Sequence, residues 1–272
     1  MNRIAKLLAL ALVVAPAVSQ AAVTVKGSDT MVILAQRWAE NYMKKNAGKK
    51  VQVTGGGSGT GIAALINGTT EVANSSRPIK GDEKAKVRDR FNTLPTEIAV
   101  AKDGVALYAN EANGVTQLTV DQLKAIYQGD VTNWKAVGGA DAPIVIYSRE
   151  NSSGTYVFFK DNVLKGEDFA ASAQTLPGTA AVVNAVSKEK NGIGYGGAAY
   201  AKGVKEIKVV GKDGQAYAPN ADNVKSGKYP LSRPLFMYTR SAPSGEAKEF
   251  IDFCLSAEGQ AIVTQVGYFP VK

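Results

Sequence analysis

Residues 148–155, Ser-Arg-Glu-Asn-Ser-Ser-Gly-Thr, connect an apolar run at 143–147 to an apolar run with helical spacing at 156–164. This order predicts a strand, a tight polar loop and the start of a helix. A helix start leaves backbone N–H groups unpaired and carries partial positive charge, so it favours an anion. Arg149 adds a planar fork of donors. The segment therefore predicts an oxyanion-binding loop, although Ser-Ser-Gly-Thr is also ordinary helix-capping sequence.

Two other loops have the same order of strand, polar loop and helix. Residues 23–26 lead into GSDT at 27–30, and an amphipathic helix with Leu34 and Trp38 on its apolar face follows. A second strand leads into GGGSGTG at 55–61, where the glycines let the backbone approach a ligand closely. One polar residue would satisfy a helix cap, so three polar residues in a row after Gly27 are more than a cap requires.

The segment EVANSSRPI at 71–79 predicts another strand, which ends in hydroxyl groups and an arginine. The side chain of Arg77 could bind an anion, or it could pair with Asp82 or Glu83. The sequence leaves both alternatives open.

Strands and helices alternate along most of the chain, which predicts an α/β fold with mainly parallel sheets. In such sheets ligands bind at the carboxyl ends of strands, where the three polar loops lie. Residues 97–101 and 105–109 predict two further strands, and Lys102, Asp103 and Gly104 predict a turn between them.

The composition excludes several kinds of enzyme and metal site. The chain has no histidine, so a Ser-His-Asp hydrolase and a histidine-ligated zinc site are impossible. Its single cysteine, Cys254, excludes a disulfide framework. Gly59, Gly61 and Ala64 fit only the relaxed form of the dinucleotide-binding pattern, and no phosphate-gripping Gly-Lys-Ser/Thr is present. We predict no enzyme activity, no metal and no cofactor.

The amino-terminal residues 1–21 predict a cleaved signal peptide. Arg3 and Lys6 precede an apolar run at 7–18, and small residues follow it. The run is shorter than the roughly 20 residues that a membrane-spanning helix needs, so we expect an exported protein without membrane insertion. The net charge of +8 includes Arg3 and Lys6, which leaves +6 after cleavage. The charges are scattered, so nucleic acid is not expected as a partner.

GSDT at 27–30, GGGSGTG at 55–61 and RENSSGT at 149–155 together resemble the periplasmic phosphate-binding proteins of ABC-type phosphate importers. The resemblance covers essentially the whole chain after the signal peptide. It implies a type II periplasmic-binding-protein fold, in which two α/β lobes, each a mainly parallel sheet flanked by helices, close on the ligand.

The resemblance also implies the division of the chain and its role. Residues 22–105 and 231–272 would form lobe 1, and residues 106–230 would form lobe 2. The protein would be a periplasmic, monomeric receptor that binds inorganic phosphate and delivers it to an inner-membrane ABC permease.

The same resemblance implies which residues bind the ligand. Where some family members have an aspartate that accepts the proton of hydrogen phosphate, this chain has Ser76, followed by Arg77. We hypothesise that Asp29 supplies this acceptor, which would select phosphate over the fully deprotonated sulfate. The full set of candidate ligand-binding residues is Ser28, Asp29, Thr30, the Met31 amide, Ser58, Ser76, Arg77, Arg149, Ser153, Gly154 and Thr155.

Three alternatives remain at this stage. The cleft could bind another tetrahedral oxyanion, such as sulfate, molybdate or tungstate. An exported phosphatase could use the same loops, but the sequence offers no histidine and no evident cluster of metal-binding carboxylates. An extracellular adhesion protein is the third alternative.

Overall fold

The structure, a computed structural model, describes residues 22–271, so the predicted signal peptide lies outside the described residues. Helices and strands alternate along the described chain, as the sequence predicts. The strands are β1 Val23–Gly27, β2 Val51–Thr54, β3 Val72–Ser75, β4 Thr96–Ala109, β5 Gln117–Thr119, β6 Val145–Arg149, β7 Gln174–Leu176, β8 Gly192–Gly197, β9 Lys205–Val210, β10 Ala216–Tyr217 and β11 Ser232–Thr239. The α-helices are α1 Val32–Lys45, α2 Ser58–Asn67, α3 Gly81–Phe91, α4 Val120–Gln128, α5 Gly154–Asn162, α6 Gly178–Lys188, α7 Ala221–Lys225, α8 Gly245–Leu255 and α9 Ala257–Val266.

The strands form one mixed sheet, whose main path runs β2-β1-β3-β11-β4-β8-β6-β7. Strands β1, β2 and β3 pair in parallel, and β6, β7 and β8 form a second parallel group. The antiparallel pairings involve β4, β11 or β10. Two parallel sheets are therefore joined through the antiparallel pair of β4 and β11.

Strand β4 runs without interruption from Thr96 to Ala109, so the predicted turn at residues 102–104 is wrong. These three residues pair with residues 232–234 of β11, which gives their backbone the partners that an isolated Lys-Asp-Gly segment lacks. The sequence could not show this, because the pairing joins segments about 130 residues apart.

Two main hydrophobic cores lie on either side of the β4 and β11 pair. The first core packs α1, α8 and α9 against β1 and β11, with Trp38 and Phe250 fully buried. The second packs α4 and α5 against β8 and β9, with Phe159 and Tyr195 stacked at 4.1 Å between ring centroids. Strand β4 exchanges β11 for β8 as its partner between Gly104 and Val105. We propose the predicted lobes 1 and 2 as the division of the chain.

Between residues 22 and 271, no helix is long and apolar enough to cross a membrane.

Candidate functional site

Polar residues from four chain segments meet between the two cores. In lobe 1, Ser28 and Ser76 follow the neighbouring parallel strands β1 and β3, so their side chains lie close together. Ser28 Oγ and Ser76 Oγ are 3.0 Å apart. Ser58, the first residue of α2, accepts a hydrogen bond from the Ser76 amide at 3.0 Å. Together with residues of lobe 2 they form a group that we call the cradle: Ser28, Thr30, Ser58, Ser76, Arg149, Ser153, Gly154 and Thr155.

Lobe 2 contributes the start of α5. Ser153 caps this helix, and its Oγ accepts hydrogen bonds from the amides of Thr155 and Tyr156 at 3.2 and 3.3 Å. Gly154 is the first residue of the helix, so its N–H has no acceptor within the helix. A Cβ atom on Gly154 would lie 2.3 Å from Ser58 Oγ and 2.7 Å from Ser76 Oγ. Only glycine therefore allows the helix start to approach the serines of lobe 1 this closely.

Several hydrogen bonds join the lobes at the cradle. Thr30 Oγ1 and Thr155 Oγ1 are 2.8 Å apart, and the Gly59 amide donates to the Ser152 carbonyl at 2.8 Å. Arg149 Nη2 donates to Asp29 Oδ2 at 2.9 Å. The lobes thus touch across the cleft, and the polar groups between them are shielded from water.

Arg149 is the cation at the centre of this cluster, with 1 % of its surface exposed. Besides Asp29, it contacts Thr179, whose Oγ1 accepts from Nη1 at 2.9 Å. Burial lowers the pKa of the guanidinium, and the Asp29 carboxylate opposes this shift. An arginine remains charged in proteins, so the positive charge persists here. Its buried Nε has no hydrogen-bond acceptor among residues 22–271, so this N–H can donate to an additional acceptor.

The site can therefore hold a small anion with several acceptor oxygens. It combines a buried guanidinium, hydroxyl groups from both lobes and the amino termini of α2 and α5, all of which favour negative charge. The part of the chain that the structure describes contains no group of histidine, cysteine and carboxylate side chains that could hold a metal ion.

Comparison with known proteins identifies the family. The sequence profile of the PBP superfamily domain matches residues 14–258. The phosphate-binding protein PstS of Pseudomonas aeruginosa is 34% identical over 263 residues, which cover 90% of this chain and 81% of the relative. The chain belongs to the PstS family of phosphate-binding proteins. PstS of Staphylococcus aureus is similar at 35% identity over 252 residues, with coverage of 89% and 76% respectively.

Solved structures of this family share the fold. A phosphate ABC transporter substrate-binding protein from Clostridium perfringens, solved with bound phosphate, superposes with a TM-score of 0.85 at 34% identity, covering 93% of this chain and 100% of that one. An ABC-type phosphate transport receptor from Vibrio cholerae gives a TM-score of 0.73 at 32% identity, with coverage of 91% and 99%. These similarities confirm the predicted two-lobed PstS-like fold.

Most of the predicted ligand contacts already have partners within the protein, and those of the Met31 amide and Asp29 bear directly on how these groups could bind a ligand. The Met31 amide donates to the Ser28 carbonyl at 3.0 Å, so it would have to share its proton with a ligand. Asp29 lies at the cleft, but Oδ2 accepts from Arg149 and Oδ1 accepts from the Gly56 amide at 2.7 Å. Each carboxylate oxygen has a further lone pair, so the role of Asp29 as a proton acceptor stays a prediction.

The side chain of Arg77 makes its hydrogen bonds with residues outside the cradle. Its Nη1 and Nη2 donate to the two carboxylate oxygens of Glu83 at 2.8 and 2.7 Å, and Nη1 also donates to the Pro78 carbonyl. This geometry agrees with pairing to Glu83, which is one of the two alternatives from the sequence. The predicted anion contact of Arg77 has no support in this arrangement.

Three residues at the site were missed from the sequence, namely Thr179, Asp103 and Arg233. Thr179 lies in the first turn of α6 and accepts a hydrogen bond from Arg149, but nothing local distinguishes it from an ordinary first-turn threonine. Asp103 lies in the segment for which the sequence predicts a turn. Arg233 is a charged residue within the largely apolar and buried strand β11. This departure from the apolar pattern is the sequence signal for a functional role.

Proposed function

We propose that this protein is a non-enzymatic periplasmic receptor that binds inorganic phosphate and delivers it to an inner-membrane ABC importer. The observation that carries the proposal is the buried Arg149, held between hydroxyl groups and helix amino termini of both lobes. Membership in the PstS family supports the same ligand, because relatives with this name cover nearly the whole chain. We further propose that it acts as a monomer.

The chemistry of the site is adequate for a receptor. Phosphate has about five heavy atoms, and at most about 1.5 kcal/mol per atom gives roughly −7.5 kcal/mol, which corresponds to micromolar affinity. Tighter binding requires charge-assisted hydrogen bonds in a dry site. Closure of two lobes around Arg149 would provide this, because it removes water and brings donors from both lobes to one anion.

We propose no catalysis, because residues 22–271 lack groups that commonly catalyse phosphate-ester hydrolysis. The sequence has no histidine, and residues 22–271 show no metal-binding carboxylate cluster. The cradle hydroxyls contact one another, backbone amides or Arg233 rather than a general base. Turnover of a chromogenic phosphoester that disappears in Arg149→Gln would contradict this part of the proposal.

Isothermal titration tests the ligand. The mature protein, freed of endogenous anion by partial unfolding, should bind one phosphate per chain near neutral pH and bind sulfate far more weakly. Arg149→Gln should abolish measurable binding. Gly81→Ala is the matched control, because nothing lies within 4 Å of the position of its added methyl group. Saturable binding of sulfate or molybdate with no phosphate signal would keep the fold and replace the ligand.

A further inference from the structure

A second arginine lies beside the cradle. Arg233 is 4% exposed and stands opposite Asp103 in the pairing of β11 with β4. The Oδ2 atom of Asp103 accepts hydrogen bonds from Arg233 Nε at 3.0 Å and Nη2 at 2.8 Å. Burial raises the pKa of Asp103, and the positive charge of Arg233 opposes this shift. The two residues form a buried ion pair on the strands that connect the lobes.

The guanidinium of Arg233 also contacts both lobes at the cradle. Nη2 donates to Thr155 Oγ1 of lobe 2 at 3.0 Å, and Thr30 Oγ1 of lobe 1 lies 3.5 Å from the same nitrogen. Nη1 donates to the Ser76 carbonyl at 3.1 Å. The ring of Phe158, one turn along α5 from Thr155, packs 5.2 Å from the guanidinium carbon and fixes its plane.

These contacts decide the direction in which a cradle hydroxyl group donates. A hydroxyl has one proton, and the oxygen of Thr155 already accepts a hydrogen bond from Arg233. Its own proton must therefore go to another acceptor, which can be Thr30 Oγ1 at 2.8 Å or an anion oxygen in the cradle. The neighbouring positive charge makes the hydroxyl a stronger donor, and the low-dielectric surroundings preserve that effect.

We propose that Arg233 is a second arginine of the anion site, which acts through the hydroxyl groups of Thr155 and Thr30. Asp103 is its positioning residue. The inference rests on the proposed function, because it assigns a role in binding the same anion. It also explains why a charged pair lies in the buried connecting strands, where two apolar residues would satisfy the packing.

A double variant separates this role from a structural one. Removing Arg233 alone would leave the buried Asp103 carboxylate unpaired and could prevent folding. Arg233→Gln combined with Asp103→Asn removes both charges and keeps polar side chains of similar size. We expect cooperative thermal unfolding close to that of the natural protein and phosphate binding weakened about tenfold to a hundredfold. A folded double variant whose dissociation constant stays within twofold would overturn the inference.

Arg233→Lys provides the second test, because it retains the charge opposite Asp103 and should fold. A lysine ammonium is a compact point charge and cannot hold the planar fork that reaches Asp103 and Thr155 together. We expect unchanged thermal unfolding and phosphate binding weakened about threefold to tenfold. Phosphate affinity equal to that of the natural protein would contradict a role in orienting the threonine hydroxyl groups.

The outcome for the natural protein separates the two proposals. If the natural protein does not bind phosphate, the proposed function fails before the role of Arg233 is tested. If the natural protein binds phosphate, Arg149→Gln abolishes binding and both Arg233 variants bind normally, the function stands and the inference about Arg233 is wrong.

Discussion

At the scale of single residues, each buried arginine at the cleft has a carboxylate beside it. Arg149 pairs with Asp29 across the lobes, and Arg233 pairs with Asp103 on the connecting strands. The formal charges of these four groups cancel. The site should therefore recognise an anion through oriented hydrogen-bond donors in a dry environment, rather than through a large excess of positive charge.

Asp29→Asn tests the predicted proton acceptor. If Asp29 accepts the proton of hydrogen phosphate, the variant should bind phosphate about tenfold more weakly, since one charge-assisted hydrogen bond is worth about 1.5 kcal/mol. Sulfate has no proton to donate, so its weak binding should not fall. Titration calorimetry with both anions measures the two effects. An equal loss for both anions would instead assign Asp29 to the positioning of Arg149, which it contacts directly.

Arg77→Met decides between the two alternatives for that arginine. Its contacts with Glu83 predict a loss of about 2 kcal/mol in the free energy of unfolding and a phosphate affinity within twofold of the natural protein. Denaturant unfolding and calorimetry measure these quantities. A large loss of affinity with little loss of stability would restore Arg77 to the anion site.

The pH dependence of stability provides a second check on the ion pair of Arg77 and Glu83. Burial raises the pKa of Glu83, but hydrogen bonds from Arg77 and the Lys80 amide outweigh it and leave the pKa below its ordinary value of 4.5. A carboxyl group with a lowered folded-state pKa stabilises the protein above its unfolded pKa and loses this effect as the pH falls through the folded value. Glu83→Gln should therefore flatten the decline in unfolding free energy below about pH 4.5.

At the scale of elements, the amino termini of α2 and α5 face each other across the cleft. Gly59 of α2 donates to Ser152, and Gly154 of α5 lies against Ser58 and Ser76. Helix starts present unpaired N–H groups and partial positive charge, so two of them at one point add to the attraction that Arg149 exerts on an anion. The two helix starts pack so closely that a methyl group at Gly154 would overlap Ser58 and Ser76.

Gly154→Ala should block this approach of the two elements. Its Cβ would overlap the oxygens of Ser58 and Ser76, and overpacking of this kind costs about 1 to 3 kcal/mol. We expect phosphate affinity to fall at least about tenfold while α5 remains intact, because alanine is a good helix former. Gly81→Ala, also at the first residue of a helix but with nothing within 4 Å, is the control and should bind normally. Equal affinities for both variants would contradict the close approach of the lobes.

At the scale of the whole molecule, ligand binding and lobe contact should be coupled. Thr30 and Thr155 contact each other across the cleft, and Tyr200 of lobe 2 donates to the Asp29 carbonyl at 2.8 Å. Both contacts surround the cradle, so an anion held there would bind both lobes at once. Closure and binding then share the same groups, and each favours the other.

Phosphate should consequently raise the unfolding temperature. At a free concentration of 100 times the dissociation constant, binding to the folded state adds about 2.7 kcal/mol. For a chain of this size, that corresponds to an increase of about 5 to 10 °C. Differential scanning calorimetry should show this shift with phosphate, a much smaller one with sulfate and none for Arg149→Gln. A shift that persists in Arg149→Gln would place the bound anion elsewhere.

Local sequence determined the elements that carry the site. The polar loops after β1 and β6 were predicted correctly, because strand periodicity, helix capping and the N–H groups of a helix start depend on neighbouring residues. The glycine-rich segment at 55–61 was predicted as a loop throughout, but α2 begins within it, at Ser58. The alternation of strands and helices also predicted that Thr30, Ser58, Arg149 and Thr155 lie at the carboxyl ends of strands. In the structure these residues lie together and are buried.

Only the tertiary structure decided how the two arginines at the cleft are paired. Asp103 and Arg233 are 130 positions apart, and they meet because β4 runs on through the predicted turn to pair with β11. Arg149 likewise meets Asp29 across the cleft, at a separation of 120 positions. A local pattern carries no information about such distant partners, since the free energy that fixes them comes from sheet pairing and burial of the whole chain.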